Sequence, residues 1–368
     1  MSRNRKLLFG TSTLLALFVV LEIALRLLGF NYDSFFTQAF WWKRFAANPI
    51  YERDPARFWR LRAYANSDLN PESRDTQLIN SMGFRDDEFA RAKAPGELRV
   101  ITMGDSCTFG DGVANWETYS NVLEEMLGKA LPGKKVQVIN AGVPGYTSYQ
   151  VRTYLEHELL PYQPDLVVVY VGFNDNVPAV NGITDAQRGV VSRSVWTIQS
   201  VFGSLRSYQL LKYLLLRVKQ RMFPGVDPQE KNPEGPENQI FRVSFKDYIS
   251  NFLAIKKLGE QHGFRMLLFT LPHKFTYEPE RNKYIRQAAM QGHIPLLDLF
   301  AFMKKYEAQG EDLYTEDGGH PNVLGHRRVA EAIFGKMKEM GLIPADAEAP
   351  AATATPAPPT KRENIGTF

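Results

Sequence analysis

The sequence is poor in cysteine, histidine and net charge. Its 368 residues include one cysteine, Cys107, and six histidines. A single thiol excludes an intramolecular disulfide framework and any zinc site built on several thiolates. Mean hydropathy is −0.29, which is too polar for a protein that crosses a membrane many times. These shortages leave the soluble enzymes, binding proteins and singly anchored proteins as the classes to consider.

The small positive charge is concentrated at the N-terminus. The chain has 44 basic and 40 acidic residues, a formal net charge of +4. Residues 1–30 hold four basic residues against one acidic residue, a net charge of +3, which leaves +1 for the other 338 residues. The sequence therefore gives no indication of a nucleic-acid partner.

One long apolar segment breaks the polar average. It runs from Leu7 to Leu28 and has Glu22 and Arg26 as its charged residues. As a helix of about 33 Å it can cross a hydrocarbon core of about 30 Å. Its length, and the absence of a small-residue cleavage site after it, favour a retained signal anchor over a cleaved signal peptide. Basic residues before it predict a cytoplasmic N-terminus, a single pass through the inner membrane and a periplasmic or extracellular remainder.

The remainder predicts an α/β fold with a central parallel sheet of five strands. Short apolar runs alternate with longer amphipathic runs, as in doubly wound sheets. The predicted strands are Leu98–Met103, Val136–Ala141, Leu166–Val171, Arg265–Leu271 and Ile294–Leu299. The predicted helices are Asn115–Leu131, Thr147–Leu160, Lys246–His262, Arg281–Gln291 and Val323–Met340.

Changes in composition divide the chain into four predicted regions. The flank and anchor of residues 1–30 are followed by an N-terminal extension, 31–96, and the α/β domain, 97–343. That domain contains a helical insertion at about 177–245, whose helix Val201–Met222 is predicted to pack on the sheet, with the membrane as the alternative. The Pro/Ala-rich tail, 344–368, is predicted to be disordered.

Chemically useful side chains follow each predicted strand. In an open α/β sheet, ligands bind outside the carboxyl ends of the strands, so these residues are expected to converge at one edge. In strand order they are Ser106, then Asn140 and Gly142, then Asn174, then His273, and finally Asp317 and His320.

These residue types suit nucleophilic catalysis. Ser106 is the predicted nucleophile, His320 its general base and Asp317 the carboxylate that orients the imidazole. The N–H groups of Ser106 and Gly142 and the side-chain amide of Asn174 are the predicted oxyanion donors. Ser106 does not lie in G-x-S-x-G, so the nucleophile elbow of α/β-hydrolases does not apply.

The chain resembles the SGNH (GDSL-type) hydrolase superfamily, in its bacterial membrane-anchored form. The resemblance rests on four blocks in order: Gly104-Asp105-Ser106, Gly142, Gly172-Phe173-Asn174-Asp175 and Asp317-Gly318-Gly319-His320-Pro321. Cys107 replaces the leucine of the usual lettering. The resemblance implies a flavodoxin-like three-layer sandwich and serine-dependent ester hydrolysis or acyl transfer, with no metal or cofactor.

Several residues near these blocks have less certain roles. Asp105, Asn140 and His273 are candidate substrate contacts, although a loop histidine that serves structure is an equal alternative for His273. His326 is predicted on a helix surface, because no carboxylate or thiolate partner supports a metal site there. Cys107 is predicted to be a small packing residue.

The sequence favours a membrane-anchored serine esterase or O-acyltransferase. Its expected substrate is an acyl ester, with O-acetyl groups of the cell envelope as one class; a polysaccharide, a short-chain ester or a lipid could carry the ester. Hydrolysis and transfer stay open because both use the same acyl-enzyme. The alternative is a non-catalytic carbohydrate-binding or assembly protein of the envelope that retains the fold.

Overall fold

The computed structural model describes residues 3–30, 32, 50–54, 56–66, 77–179, 184–188, 198, 201–222, 240–275 and 277–348. Much of the predicted insertion and residues 349–368 of the predicted tail lie outside this set. The α/β domain continues slightly past the predicted boundary at 343. Ala347 is buried, and its carbonyl accepts a hydrogen bond from Lys338 Nζ at 2.7 Å.

The central sheet has five parallel strands, as predicted. Before it, the N-terminal extension contributes an antiparallel hairpin of two short strands. In chain order the strands of both sheets are β1 Tyr51–Asp54, β2 Phe58–Leu61, β3 Leu98–Gly104, β4 Val136–Gly142, β5 Leu166–Tyr170, β6 Arg265–Phe269 and β7 Leu296–Leu297. The order across the central sheet is β4-β3-β5-β6-β7, and every pairing is parallel. This is the flavodoxin-like order, in which the loops after β3 and β5 flank the point where strand order reverses.

Helices cover both faces of this sheet. In chain order they are α1 Arg3–Leu27, α2 Ser106–Phe109, α3 Tyr119–Ala130, α4 Ser148–Tyr154, α5 Asp185–Arg188, α6 Arg206–Met222, α7 Phe245–His262, α8 Arg281–Gly292, α9 Leu299–Glu307 and α10 Val323–Glu339. One packed group joins α3 with α10, and the other joins α7 with α4 and α8. Strands β3 and β5 are buried along their whole length, as their continuous apolar runs predict.

Two helix boundaries differ from the prediction because side chains cap the backbone there. The predicted helix from Asn115 is divided, since Thr118 is extended and its hydroxyl accepts from the N–H of Asn121. The last predicted strand is cut short by α9, whose N-cap is Asp298. Asx and Ser/Thr side chains satisfy the first free N–H groups of a helix, so each begins a new element.

The apolar N-terminal segment forms the long helix α1. Its stretch Phe9–Leu27 is long and apolar enough to cross a membrane, and little of it is buried. The insertion helix α6 packs against the end of α1 rather than on the sheet, so the predicted packing was wrong. Hydrogen bonds explain this packing. Glu22 of α1 accepts from the first N–H groups of α6, and Arg26 donates to a carbonyl just before α6. Sequence periodicity does not report such a contact.

Candidate active site

A sharp connection from β3 to α2 presents Ser106. The turn needs glycine at Gly104, since a Cβ there would lie 2.1 Å from the carbonyl oxygen of Tyr170 and 2.2 Å from Thr108 Oγ1. Asp105 caps α2 by accepting the N–H of Cys107 on Oδ1 at 3.0 Å. Ser106 is therefore fixed at the first position of a short helix, at the carboxyl end of β3.

A continuous hydrogen-bonded chain links hydroxyl, imidazole and carboxylate. Ser106 Oγ lies 2.7 Å from His320 Nε2, and His320 Nδ1 lies 2.5 Å from Asp317 Oδ2. Both partners come from the loop before α10, so the structure brings the three predicted catalytic residues together. With the proton on Nδ1, the imidazole presents a free lone pair to the hydroxyl, which is the arrangement a general base requires.

The carboxylate of Asp317 is held by its own loop. Its Oδ1 accepts the N–H groups of Gly319 at 2.8 Å and of His320 at 2.9 Å, and the hydroxyl of Thr315 at 3.0 Å. Partial burial raises the pKa of Asp317, but these N–H donors and the His320 ring outweigh it and hold the pKa below its usual range. Asp317 is therefore ionised at neutral pH and can stabilise an imidazolium.

The predicted oxyanion donor Gly142 is already bonded within the protein. Its N–H donates to Asn140 Oδ1 at 3.0 Å. The glycine is needed for packing, since a Cβ there would lie 2.2 Å from the nitrogen of Phe109. Gly142 thus brings β4 against α2, and the expectation that its N–H meets an oxyanion does not fit this geometry.

A neighbouring glycine has the free N–H that Gly142 lacks. Val143 to Tyr146 form a type II turn, closed by the Tyr146 N–H donating to the Val143 carbonyl at 3.2 Å, with Pro144 second and Gly145 third at φ +80°. The Gly145 N–H makes no hydrogen bond within the part of the chain that the structure describes. The Pro-Gly pair was the sequence signal for this turn.

Asn174 lies between this turn and the nucleophile loop. Its Nδ2 is 3.2 Å from Asp105 Oδ2 and 3.2 Å from the carbonyl oxygen of Tyr146. Asp105 itself is buried, which raises its pKa to about 6. The carboxyl of Asp105 therefore joins two parts of the site, capping α2 with one oxygen and positioning the Asn174 amide with the other.

The three candidate substrate contacts are all buried. Asp105 is 1% exposed, Asn140 0% and His273 5%. Besides holding Gly142, Asn140 receives support from Asp86, whose Oδ2 accepts the Asn140 N–H at 3.2 Å. In this structure these residues support loops, and a contact with substrate stays a prediction.

His273 supports an aromatic pair at the rim of the site. Its Nδ1 accepts the N–H of Phe275 at 3.0 Å, and burial, followed by the charge of Lys304, lowers its pKa. Phe275 and Tyr277 stack with 5.8 Å between ring centroids and 10° between planes, yet they are 54% and 64% exposed. The Phe275 ring also comes within 3.9 Å of where a Cβ on Gly318 would sit, directly after Asp317.

His326 is in the core and not on the helix surface. It is fully buried, and its Nδ1 accepts the N–H of Tyr119 at 3.1 Å. Burial lowers its pKa to about 3, so the ring is neutral. The surface prediction failed because helical spacing alone does not distinguish a histidine that bonds a neighbouring helix terminus from a solvated one.

Cys107 is a packing residue, and its replacement is expected to be tolerated. The thiol is buried, burial raises its pKa well above the ordinary range, and Sγ lies 3.7 Å from the carbonyl oxygen of Gly319. We expect Cys107→Ala to retain activity within a few-fold and iodoacetamide to leave the folded wild type active, because only thiolates react readily. Rapid inactivation by iodoacetamide that is absent in Cys107→Ala would contradict this assignment.

Arg85, from the N-terminal extension, holds the loop after the nucleophile helix. The buried guanidinium donates to the carbonyls of Phe109 at 2.9 Å, Gly110 at 2.5 Å and Val113 at 2.5 Å. Burial lowers its pKa to about 10, so it stays charged at neutral pH. The extension is therefore a structural part of the site.

Removing this guanidinium is expected to destabilise the protein strongly. Arg85→Met removes the buried donors to the carbonyls of Phe109, Gly110 and Val113 and to Asn115 Oδ1, so the free energy of unfolding in urea should fall by about 3 kcal/mol or more. The matched control is Arg60→Met, whose exposed pair with Glu52 at 2.6 Å should contribute only about 0.5 kcal/mol. Equal effects of the two substitutions would show that Arg85 does not hold the loop.

Comparison with known proteins identifies the family. The family model described as GDSL-like Lipase/Acylhydrolase matches residues 102–328, well over half of the chain. The chain belongs to this family. It is therefore a serine hydrolase that acts on esters, and its resemblance to the SGNH superfamily is confirmed.

Several solved structures are similar to this chain at low identity. An acetylxylan esterase, Axe2 from Geobacillus stearothermophilus, is 17% identical over 65% of this chain and 94% of its own, with a TM-score of 0.42. A lipase/acylhydrolase from Enterococcus faecalis is 19% identical over 66% and 96%, with a TM-score of 0.42. LAE5, an alpha/beta hydrolase enzyme from the metagenome of Lake Arreo, Spain, is 18% identical over 65% and 94%, with a TM-score of 0.41. Comparison with curated protein sequences gives no significant match.

Proposed function

We propose that this GDSL-family hydrolase is a membrane-anchored esterase that uses Ser106 to deacylate esterified carbohydrates outside the inner membrane. The observation that carries the chemistry is the unbroken chain from Ser106 Oγ through His320 to Asp317, with distances of 2.7 and 2.5 Å. It supports catalytic roles for those three residues over a purely binding role, since a binding module does not need an aligned general base.

In the first step Ser106 Oγ attacks the acyl carbonyl carbon. His320 Nε2 takes the hydroxyl proton, and the Asp317 carboxylate stabilises the imidazolium that forms. The tetrahedral intermediate collapses as its C–O bond to the alcohol breaks, and the imidazolium donates its proton to the departing oxygen. Water then attacks the acyl-enzyme through the same steps and releases the carboxylic acid.

The oxyanion is proposed to meet donors from three loops. These are the N–H of Ser106, the N–H of Gly145 and the Asn174 amide, which redirects to the oxyanion one of the two hydrogens that it gives to Asp105 and the Tyr146 carbonyl. Gly145 takes the place of Gly142 in this scheme for two reasons. Its N–H makes no hydrogen bond in the described part of the chain. The carbonyl oxygen of the next residue, Tyr146, lies 3.2 Å from Asn174 Nδ2, so the two donors are close. Fixed donors aimed at developing charge are worth several kcal/mol of barrier.

The exposed aromatic pair supports a carbohydrate ester over a short-chain ester as substrate. Phe275 and Tyr277 are more than half exposed, and the Phe275 ring lies beside Gly318 in the loop that carries Asp317. An aromatic face carries negative partial charge, which attracts the polarised C–H groups on the apolar face of a sugar ring. In this proposal a sugar ring stacks there while its ester enters the site, whereas a small ester has no ring to stack.

Removal of both rings should therefore affect sugar esters selectively. In the variant Phe275→Ala with Tyr277→Ala, we expect KM for an acetylated oligosaccharide to rise about tenfold, as loss of stacking worth one to two kcal/mol implies. The rate with p-nitrophenyl acetate should stay unchanged. Met290→Ala, which removes an exposed apolar side chain from α8, is the control. A parallel loss with both substrates would count against a sugar platform.

The proposed location rests on α1 and its flanks. The helix Phe9–Leu27 can span a membrane by length and composition, and Arg3, Arg5 and Lys6 precede its apolar part. We propose a cytoplasmic N-terminus, a single pass and a catalytic domain on the periplasmic side. A fusion of alkaline phosphatase to the C-terminus should be active. An inactive fusion whose esterase activity is retained in the cytoplasm would show the opposite orientation.

Product analysis distinguishes hydrolysis from transfer. The purified chain is incubated with acetyl and longer acyl donors, with and without an oligosaccharide acceptor. Free carboxylic acid in both cases supports the esterase proposed here. Acyl groups recovered on the acceptor would assign the same acyl-enzyme to an O-acyltransferase.

A further inference from the structure

The insertion helix α6 has an apolar face that nothing covers in the described part of the chain. The face consists of residues spaced at i, i+3, i+4, i+7 and i+11, and each is at least 50% exposed. Its members are Leu211, Leu214, Leu215, Val218 and Met222. A helical stripe of this width is normally buried, so a partner for it is required.

Contacts at its first turn place α6 beside the end of α1. Glu22 accepts the N–H groups of Arg206 at 3.0 Å and Ser207 at 2.9 Å, together with the Ser207 hydroxyl at 2.8 Å. A carboxylate from α1 thus satisfies the free N–H groups of α6 and complements the positive end of that helix. Arg26 adds a bond to the carbonyl of Ser204 at 3.2 Å.

The second turn of α6 is also tied to the chain that follows α1. The Tyr32 N–H donates to Gln209 Oε1 at 3.0 Å, and the rings of Tyr32 and Tyr213 meet edge to face at 5.0 Å. Gln209 and Tyr213 lie on the opposite side of α6 from the apolar face. These contacts therefore fix α6 to α1 and leave its apolar face outward.

Charge on α6 indicates what that face meets. The helix has five basic residues and no acidic residue in its seventeen positions. At helical spacing, Lys212 lies along one border of the apolar face, and Arg217 and Arg221 along the other. Basic residues that flank an apolar stripe suit an anionic bilayer surface, where apolar side chains enter the acyl boundary and cations meet phosphates.

We propose that α6 is a second membrane-binding element, lying in the plane of the outer surface of the inner membrane with its apolar face in anionic lipid. The membrane is favoured over a second protein because Glu22 and Arg26 belong to the last turns of the proposed membrane helix, so α6 starts at the depth of the lipid interface. The proposal extends the anchoring described above and is independent of the chemistry at Ser106. Its consequence is that two elements, and not one flexible tether, hold the domain at the membrane.

The experiment uses the full-length protein in vesicles of phosphatidylcholine and phosphatidylglycerol. Single cysteines are introduced by Leu214→Cys, by Met290→Cys as the exposed control on α8, and by Val20→Cys as the reference on α1, and each carries a fluorophore. The wild type is the blank, since Cys107 is buried. Lipids with nitroxide-labelled chains should quench the Leu214 fluorophore several-fold more than the Met290 fluorophore.

Each outcome decides one proposal. Equal weak quenching at positions 214 and 290 overturns the role of α6, whereas absent quenching at position 20 overturns the anchor. A position 214 fluorophore that is protected from iodide in water but not quenched by lipid would show that protein covers this face, and would also overturn the proposal. Labels introduced by Leu215→Cys and Val218→Cys repeat the test, and hydrolysis of p-nitrophenyl acetate verifies folding in every case.

Discussion

Replacing Ser106 by alanine is expected to lower kcat/KM for p-nitrophenyl acetate by about 10⁴-fold or more. The hydroxyl is the atom that forms the acyl-enzyme, and His320 Nε2, 2.7 Å away, has no other nucleophile to activate within this short helix. At 1.36 kcal/mol per tenfold, this loss corresponds to about 5.5 kcal/mol of barrier. Cys107, one residue along, does not substitute because its thiol is buried.

Stability measurements separate this loss from unfolding. Ser106→Ala removes one partly buried hydroxyl, so the free energy of unfolding should change by less than about 1 kcal/mol. Ser81→Ala is the matched control, since its hydroxyl bonds Glu88 at 2.6 Å in the N-terminal extension and contacts no part of the proposed triad. A folded Ser106→Ala variant with wild-type activity would exclude Ser106 as nucleophile.

Asp317→Asn is expected to reduce kcat/KM by about 10³-fold or more through the tautomer of His320. The Asp317 Oδ2 atom accepts from His320 Nδ1 at 2.5 Å, which keeps the proton on Nδ1 and the lone pair on Nε2. An amide nitrogen at that position donates to Nδ1 and shifts the proton to Nε2. The imidazole then cannot take the hydroxyl proton from Ser106.

The loop itself should survive this substitution. The asparagine oxygen can still accept the N–H groups of Gly319 and His320, which bond Asp317 Oδ1 at 2.8 and 2.9 Å. Asp312→Asn is the control, because this exposed carboxylate pairs only with Lys274 in the described contacts. Similar rates for the two variants would show that Asp317 does not set the tautomer.

Much of the architecture could be predicted because burial leaves a clear pattern in sequence. Strands such as Leu166–Tyr170 are buried on both faces and are apolar throughout, so their existence and parallel pairing follow from composition. The approach of Asn174 to the nucleophile loop followed in turn from the rule that loops after parallel strands meet at one edge, whereas Asp317 and His320 lie one helix beyond β7, in the loop between α9 and α10. The helix ends were less predictable, since single side chains such as Thr118 decide them.

The finer features of the site depend on contacts that spacing does not reveal. Gly142 ends β4 and Gly145 lies in the turn after it, and only the bond that the Gly142 N–H donates to Asn140 distinguishes their N–H groups. Likewise, Asp105 is polar and adjacent to the nucleophile, yet it faces inward to Asn174. The placement of α6 depended on Glu22, a residue almost two hundred positions away in sequence.

The most direct test of the proposed Ser106 mechanism is to identify the residue that a fluorophosphonate modifies. Such reagents phosphonylate a serine hydroxyl only when a neighbouring base activates it. The purified full-length chain is labelled, digested and analysed by mass spectrometry, with Ser106→Ala and His320→Ala treated in parallel. One adduct is expected, on Ser106, and none in either variant. A folded wild type without an adduct, or an adduct on another residue that persists in Ser106→Ala, would contradict it.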